Sequence, residues 1–237
     1  MRIAVFGAGG PTGRELLAQA LDAGHEVTAV TRRPASVPDR AGLAVADADA
    51  LDARAVDAVV AGQDAVLSAL GVPPGRGPVT LYSAAAAHMT AAMERHGVKR
   101  LLVVSSSVLD PAWRPSGAFL FNTVLDPYVN RVIARAAHED MRRMESLVRA
   151  SDVDWTIVRP SGLFDHPGPT PYVLAENSAD GVYTARSDLA ASMLAQLTDD
   201  RFVRRAMGVV TTRVRPGVPR MIWREIRKNV RAGRPGK

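Results

Sequence analysis

Three glycines at intervals of three, Gly7, Gly10 and Gly13, stand between an apolar run and a helical pattern, and their placement suits the binding of a pyrophosphate. Gly7 lets the chain turn sharply off a strand, Gly10 lets backbone approach the phosphates with no Cβ in the way, and Gly13 lets the next helix pack close to the sheet. Pro11 falls in the first helical turn, where a missing N–H costs nothing, and Thr12 adds a hydroxyl to the free N–H groups there. The spacing is G-x-x-G-x-x-G; the third glycine of the usual dinucleotide pattern would fall on Thr12. An ordinary strand-to-helix turn is the alternative. About twenty residues further on, where an acidic residue would hold the ribose of NAD, stand Thr31, Arg32 and Arg33. Guanidinium groups bind a 2′-phosphate bidentately and stack on adenine, so NADP(H) is preferred over NAD(H). Two solvated arginines at the mouth of a loop are the alternative.

The elements that must carry these groups follow from hydrophobic period and punctuation. Residues 1–6 read as a strand and 14–22 as a helix, with a second strand over 24–31 and a short third over 42–47. Residues 52–61 are helical, and 64–71 form a buried strand running through Ala69 and Leu70 into Gly71, at the carboxyl edge where open α/β sheets bind ligands. An alanine-rich helix over 80–96, packed on the sheet or on a second subunit, leads to a strand ending in Ser105, Ser106 and Ser107 at the level of the cofactor. Residues 108–129 hold Trp113, Phe119, Phe121 and Tyr128 and read as an irregular loop over a pocket, or as a long loop anchored by its aromatics. A polar helix spans 130–150; on it His138 and Glu145 are seven apart, two turns along one face, so both can look toward one site. Solvated or helix-pairing roles for both remain open.

Residues 154–160 form a strand stopped by Pro160, where the following turn can offer backbone groups to a nicotinamide amide and Arg159 can pair with an acid. Residues 161–171 read as a second loop and 181–184 as a short strand. Ser187 is expected as N-cap and Asp188 as first-turn acid of a helix through 197, and 203–212 as the last strand.

At 237 residues, the fold class expected is α/β, a doubly wound parallel sheet, with a single domain over 1–212 and a basic tail over 213–237. The formal charge of +6 belongs to that tail, which carries nine Lys or Arg and one Glu, against 21 basic and 23 acidic residues before it. In the tail Ile222, Ile226 and Val230 make one helical stripe bordered by Trp223, suited to an acidic partner, an anionic membrane surface, or packing on its own domain. No reading element for specific nucleic acid accompanies the charge. The chain has no cysteine, which excludes thiolate catalysis and thiolate metal sites, and no metal is expected. With the first strand at the N-terminus and no long apolar stretch, a cytoplasmic protein is the simplest expectation.

With the three glycines, residues 103–107 (Val-Val-Ser-Ser-Ser) and residues 154–163 (Asp-Trp-Thr-Ile-Val-Arg-Pro-Ser-Gly-Leu) in hand, the chain resembles the atypical short-chain dehydrogenase/reductases over about residues 1–212. The likeness is to the NAD(P)H-binding, NmrA-like branch that includes biliverdin reductase B-type flavin reductases. It implies a parallel Rossmann sheet binding NADPH along its carboxyl edge. By position in that resemblance, Ser106 is the polar contact near the nicotinamide, and Glu145 occupies a helix position given to polar or titratable groups; with His138 they are the catalytic candidates. The chain departs from the superfamily's tyrosine and lysine four residues apart. No lysine stands between Lys99 and Lys228, and Tyr82, Tyr128, Tyr172 and Tyr183 are followed four residues later by Ala86, Val132, Glu176 and Ser187. Hydride transfer to a flavin, quinone or conjugated tetrapyrrole remains open to such a chain. So does a second class, a regulator that binds NADP(H) without turnover and signals to a protein partner. Epimerase chemistry on a nucleotide-linked sugar usually needs the absent tyrosine.

Overall fold

The computed structural model describes residues 1–73, 77–116 and 134–216. Its strands are β1 (Arg2–Phe6), β2 (Glu26–Thr31), β3 (Leu43–Asp47), β4 (Ala65–Ser68), β5 (Arg100–Val104), β6 (Asp154–Pro160), β7 (Gly162–Phe164), β8 (Tyr172–Glu176), β9 (Tyr183–Ala185) and β10 (Arg205–Thr211). Its α-helices are α1 (Pro11–Asp22), α2 (Ala53–Val60), α3 (Leu81–His96), α4 (Arg135–Ala150) and α5 (Arg186–Ala195). Eight strands form one sheet in the order β3-β2-β1-β4-β5-β6-β10-β8, parallel except for β8, which runs antiparallel to β10. The order reverses between β1 and β4, so a crevice opens beyond their carboxyl ends.

The strands carry residues that suit burial on two faces. Ile3, Val5, Leu67, Leu102, Val158 and Met207 face a core shared with α1 and α5, whereas Phe6, Val66, Leu101, Val103 and Ile157 face the layer that holds α3 and α4. α3 packs between α2 and α4, so its alanines serve close helix packing within the chain. Asp52 caps α2 through the N–H groups of Arg54 and Ala55. α3 takes its cap from another helix: Thr80 makes no capping bond, and the fully buried Asp140 of α4 accepts from the N–H groups of Tyr82 (2.8 Å) and Ser83 (3.3 Å) and from the Ser83 hydroxyl.

Several sequence expectations need correction. The stretch 161–171 contains β7, which pairs in parallel with β9, and residues 172–176 form a strand that the sequence did not announce. Ser187 is not an N-cap. Ala185 holds that place, its N–H satisfied by the Thr211 hydroxyl, while Ser187 lies inside the first turn of α5 with its buried Oγ unpartnered. Asp188 is the first-turn acid, but it serves the tertiary fold by accepting from the N–H and hydroxyl of Thr170 and the hydroxyl of Thr211. The described part of the 108–129 loop is anchored: Leu109 and Trp113 are buried, and the Trp113 indole donates to the Ala179 carbonyl. Residues 117–129, the start of the helix expected from 130, and the stripe at 220–231 lie outside the described residues. Among the described residues no helix is long and apolar enough to cross a membrane, and no cluster of side chains suits a metal.

Candidate nucleotide and reduction site

Gly7 leaves β1 with φ +79°, and a Cβ there would lie 2.6 Å from the Ala69 carbonyl oxygen. A Cβ on Gly13 would lie 2.2 Å from the Gly7 carbonyl oxygen, so α1 rests directly on the turn that precedes it. Gly10 is the N-cap and Pro11 opens the helix; no side chain caps this terminus, and no acid stands in its first turn. The first-turn N–H groups and the positive end of the helix dipole are thus left for an anion. Ala69, Leu70 and Gly71 follow β4 alongside, with Ala69 N–H bonded to the Phe6 carbonyl at 2.9 Å.

Arg32 and Arg33 follow β2 in a turn tied to the glycine loop. The Arg33 N–H donates to the Thr31 hydroxyl (3.1 Å), the Ser36 hydroxyl donates to the Arg33 carbonyl (2.7 Å), and both hydroxyl oxygens lie within 3.1 Å of where a Gly9 Cβ would stand. Arg32 lies 3.7 Å from Asp49 with its side chain 70% exposed, a loose surface pair that holds the guanidinium weakly.

A second cluster joins the carboxyl ends of β5 and β6. Glu145 reaches from α4 to accept from the Ser105 hydroxyl (2.8 Å) and from Arg159 at two points, Nε (3.0 Å) and one Nη (2.6 Å). The Glu145 and Arg159 side chains are only 9% and 8% exposed. Ser107 donates to the Arg159 carbonyl at 2.9 Å. Ser106 is the half-buried member of the three serines, and its hydroxyl makes no hydrogen bond among the described residues. Glu145 is therefore neither solvated nor paired mainly within its own helix. Arg159, read from sequence only as a strand-end arginine able to meet an acid, is the residue that organises the cluster.

His138 lies in the first turns of α4, half-buried, and no hydrogen bond joins it to Glu145 or the serines. Burial first, and the nearby Arg142 second, push its pKa below the ordinary value of 6.5. A depressed folded-state pKa disfavours protonation in the folded protein, so the stability contribution is intact above about pH 6.5 and is lost as the pH falls below it. The melting temperature should thus fall between pH 7 and pH 5.5, and His138→Gln should flatten that part of the curve.

The turn after Pro160, expected to offer backbone groups to a nicotinamide amide, has its first N–H groups already engaged. Pro160 itself has no N–H, Ser161 N–H is taken by the Thr184 hydroxyl (3.0 Å) and Gly162 N–H by the Val182 carbonyl (2.9 Å). Tyr82, which the glycine-based reading passed over, places its hydroxyl as acceptor of the Val72 N–H at 3.1 Å and so fixes the backbone just beyond Gly71.

The glycine turn, the uncapped helix and the arginine turn together fit a dinucleotide with a terminal phosphate. A family profile described as NAD(P)H-binding matches residues 7–200. The chain belongs to this NAD(P)H-binding family. The likeness to atypical short-chain dehydrogenase/reductases rests on the same stretch. Among relatives, it is 28% identical over 218 residues to a Bacillus subtilis protein described as the uncharacterized sugar epimerase YhfK, covering 87% of this chain and 92% of that one. In fold, the NAD(P)H-binding chain matches a Veillonella parvula short-chain dehydrogenase/reductase in complex with NADP (TM-score 0.74, 17% identity, 90% and 95% of the two chains). It also matches ChuY, described as an anaerobillin reductase from Escherichia coli O157:H7 (TM-score 0.72, 20% identity, 92% and 100% of the chains).

Proposed function

We propose that this NAD(P)H-binding protein is an oxidoreductase that uses NADPH to reduce a flavin, a quinone or another conjugated acceptor. The observation that carries the reading is the make-up of the reduction site: hydroxyls and a fixed ion pair, with no lysine four residues beyond any tyrosine. Two of the tyrosines are in keeping with this reading. Burial pushes the phenols of Tyr82 and Tyr172 above the ordinary value of 10, the opposite of what a proton-donating tyrosine needs. An acceptor whose ring system delocalises the incoming charge asks less of the protein than a ketone does. That the fold relative ChuY is described as a reductase supports the reading; the epimerase description of YhfK suits it less, for want of that tyrosine.

In this reading Gly7, Gly10, Pro11, Thr12 and Gly13 hold the pyrophosphate, and Arg32 and Arg33 hold the 2′-phosphate. Ala69, Leu70 and Gly71 line the path to the nicotinamide end, which Ser105, Ser106 and the Pro160 carbonyl border. The cofactor supplies hydride when bound. The chain's own contribution is alignment and the exclusion of water. Ser106 offers an uncommitted hydroxyl, and the Tyr82 hydroxyl, accepting from the Val72 N–H, holds the backbone just beyond Gly71.

Replacing Arg32 and Arg33 together with alanine should weaken NADPH binding by about 10- to 100-fold, the worth of one or two charge-assisted contacts, with little change for NADH. Equal losses for both nucleotides, measured by fluorescence titration, would remove the 2′-phosphate assignment. Turnover is tested by following NADPH oxidation with FMN, FAD and simple quinones. Tight binding with no oxidation would favour the second reading, a nucleotide-sensing regulator acting through a partner, which the missing tyrosine and lysine also suit.

A further inference from the structure

We infer that Arg159 is the donor that meets the acceptor in the reduction site, held for that task by Glu145 and Ser105 as positioning residues. The inference rests on the reductase reading and names the group that takes over charge stabilisation from the missing tyrosine and lysine.

Three observations carry it. The first is position. Arg159 is the penultimate residue of β6, and its partner network includes Ser105, immediately beyond β5, at the carboxyl edge where the nicotinamide end of the cofactor belongs. The second is the division of its donors. Glu145 occupies Nε and one Nη with its two oxygens, which fixes the plane of the fork, while the other Nη has no hydrogen-bond partner among the described residues and is not shut off from solvent. An uncommitted donor on a side chain this buried remains open to whatever enters the site. The third is energetic: a buried ion pair is commonly no more stabilising than apolar residues of the same volume, so folding alone gives little reason for it.

Other charges around the guanidinium are accounted for. Asp110 is held below its ordinary pKa, against the effect of burial, by bonds from the Ser178 hydroxyl and the Ala112 N–H, and Arg159 adds the smallest part. Arg149 stands 3.7 Å from Glu145 on the more exposed side. With Glu145 and Arg159 neutralising each other, the site suits a neutral conjugated ring on which charge develops better than a ligand that arrives with a carboxylate.

When bound, NADPH would supply a hydride, two electrons with one proton, to a ring atom of the flavin or quinone, and the free Nη–H of Arg159 would meet the negative charge left on a conjugated oxygen or nitrogen. Water then supplies the proton, and NADP⁺ is left. Arg159 keeps its own proton throughout, because a guanidinium does not deprotonate in proteins.

The experiment compares wild type, Arg159→Lys and the double variant Glu145→Met with Arg159→Met. Melting temperature and NADPH affinity report the fold, FMN affinity in the absence of NADPH reports acceptor contact, and single-turnover NADPH oxidation with FMN and a simple quinone reports the step. The double variant removes the pair without leaving a lone buried charge. It should keep NADPH affinity within about threefold, bind FMN more weakly and lose about 100-fold in hydride-transfer rate, the scale of a lost transition-state donor. Arg159→Lys keeps the charge but not the fork, and should fall between; it carries the test if the double variant does not fold. Wild-type FMN affinity and rate in either folded variant would make the pair structural and overturn this inference alone. No NADPH oxidation by wild type with any acceptor would overturn the reductase reading, and this inference with it.

Discussion

Gly13→Ala should lower the melting temperature by about 10 °C and weaken NADPH binding by about 100-fold or more. The added Cβ would stand 2.2 Å from the Gly7 carbonyl oxygen, 2.7 Å from Ala8 Cα and 2.8 Å from the Gly7 carbonyl carbon, all of them backbone atoms that cannot swing aside. Relief requires α1 to move off the turn by about an ångström, and overpacking of this kind costs about 3 kcal/mol, or about 10 °C for a chain of this size. The same displacement carries the first-turn N–H groups away from the phosphates, and an ångström of misplacement is enough for a loss of about two orders of magnitude. Calorimetry and fluorescence titration on one preparation separate the two effects. A variant that melts like wild type and binds NADPH normally would mean that α1 does not rest on Gly7 as described.

Asp140→Ala should cost about 3 kcal/mol, more than an ordinary exposed cap, because it leaves the N–H groups of Tyr82 and Ser83 without an acceptor in a buried place. Arg143, which lies 3.1 Å from Asp140, has its side chain 54% exposed and can turn to water, so little of the loss comes from a stranded charge. Asp140→Asn keeps one carbonyl oxygen for the helix and should recover about half. Chemical denaturation of the three proteins checks the order. Because Tyr82 carries the acceptor for the Val72 N–H, the alanine variant should also loosen the backbone beyond Gly71, visible as faster amide exchange there.

The opening β1, glycine turn and α1 were legible because each requirement is local: Gly7 and Gly13 answer contacts within a few residues or with the neighbouring strand. α2 was legible for the same reason, although Asp52, read as its first residue, proves to be its cap. The second half of the chain was harder. β8 carries a half-exposed pattern with no strict alternation, and β7 is three residues long, so their partners decide them more than their composition; the short strand expected over 181–184 does form, as β9. Ser187 looked like a cap because the true satisfier of that turn, Thr211, arrives from the end of β10. At the carboxyl ends of β5 and β6, the sequence offered Ser105, Ser106 and Glu145 as separate candidates, and the structure joins Ser105 to Glu145. The tie from Glu145 to Arg159 links a helix to the strand fourteen residues later, and no periodicity announces such a pair.

The placement of β10 between β6 and β8 has a consequence for how the molecule is made. Residues 1–160 contain six neighbouring strands in an unbroken run, each able to dock as it is synthesised. β8 has no such neighbour waiting: within the large sheet it is bonded to β10, which follows it by about thirty residues. Until residues 205–211 clear the ribosome, β6 presents a bare edge and β8 drifts without a template, so nascent chains stopped short of Thr211 should be the species that chaperones hold and proteases cut.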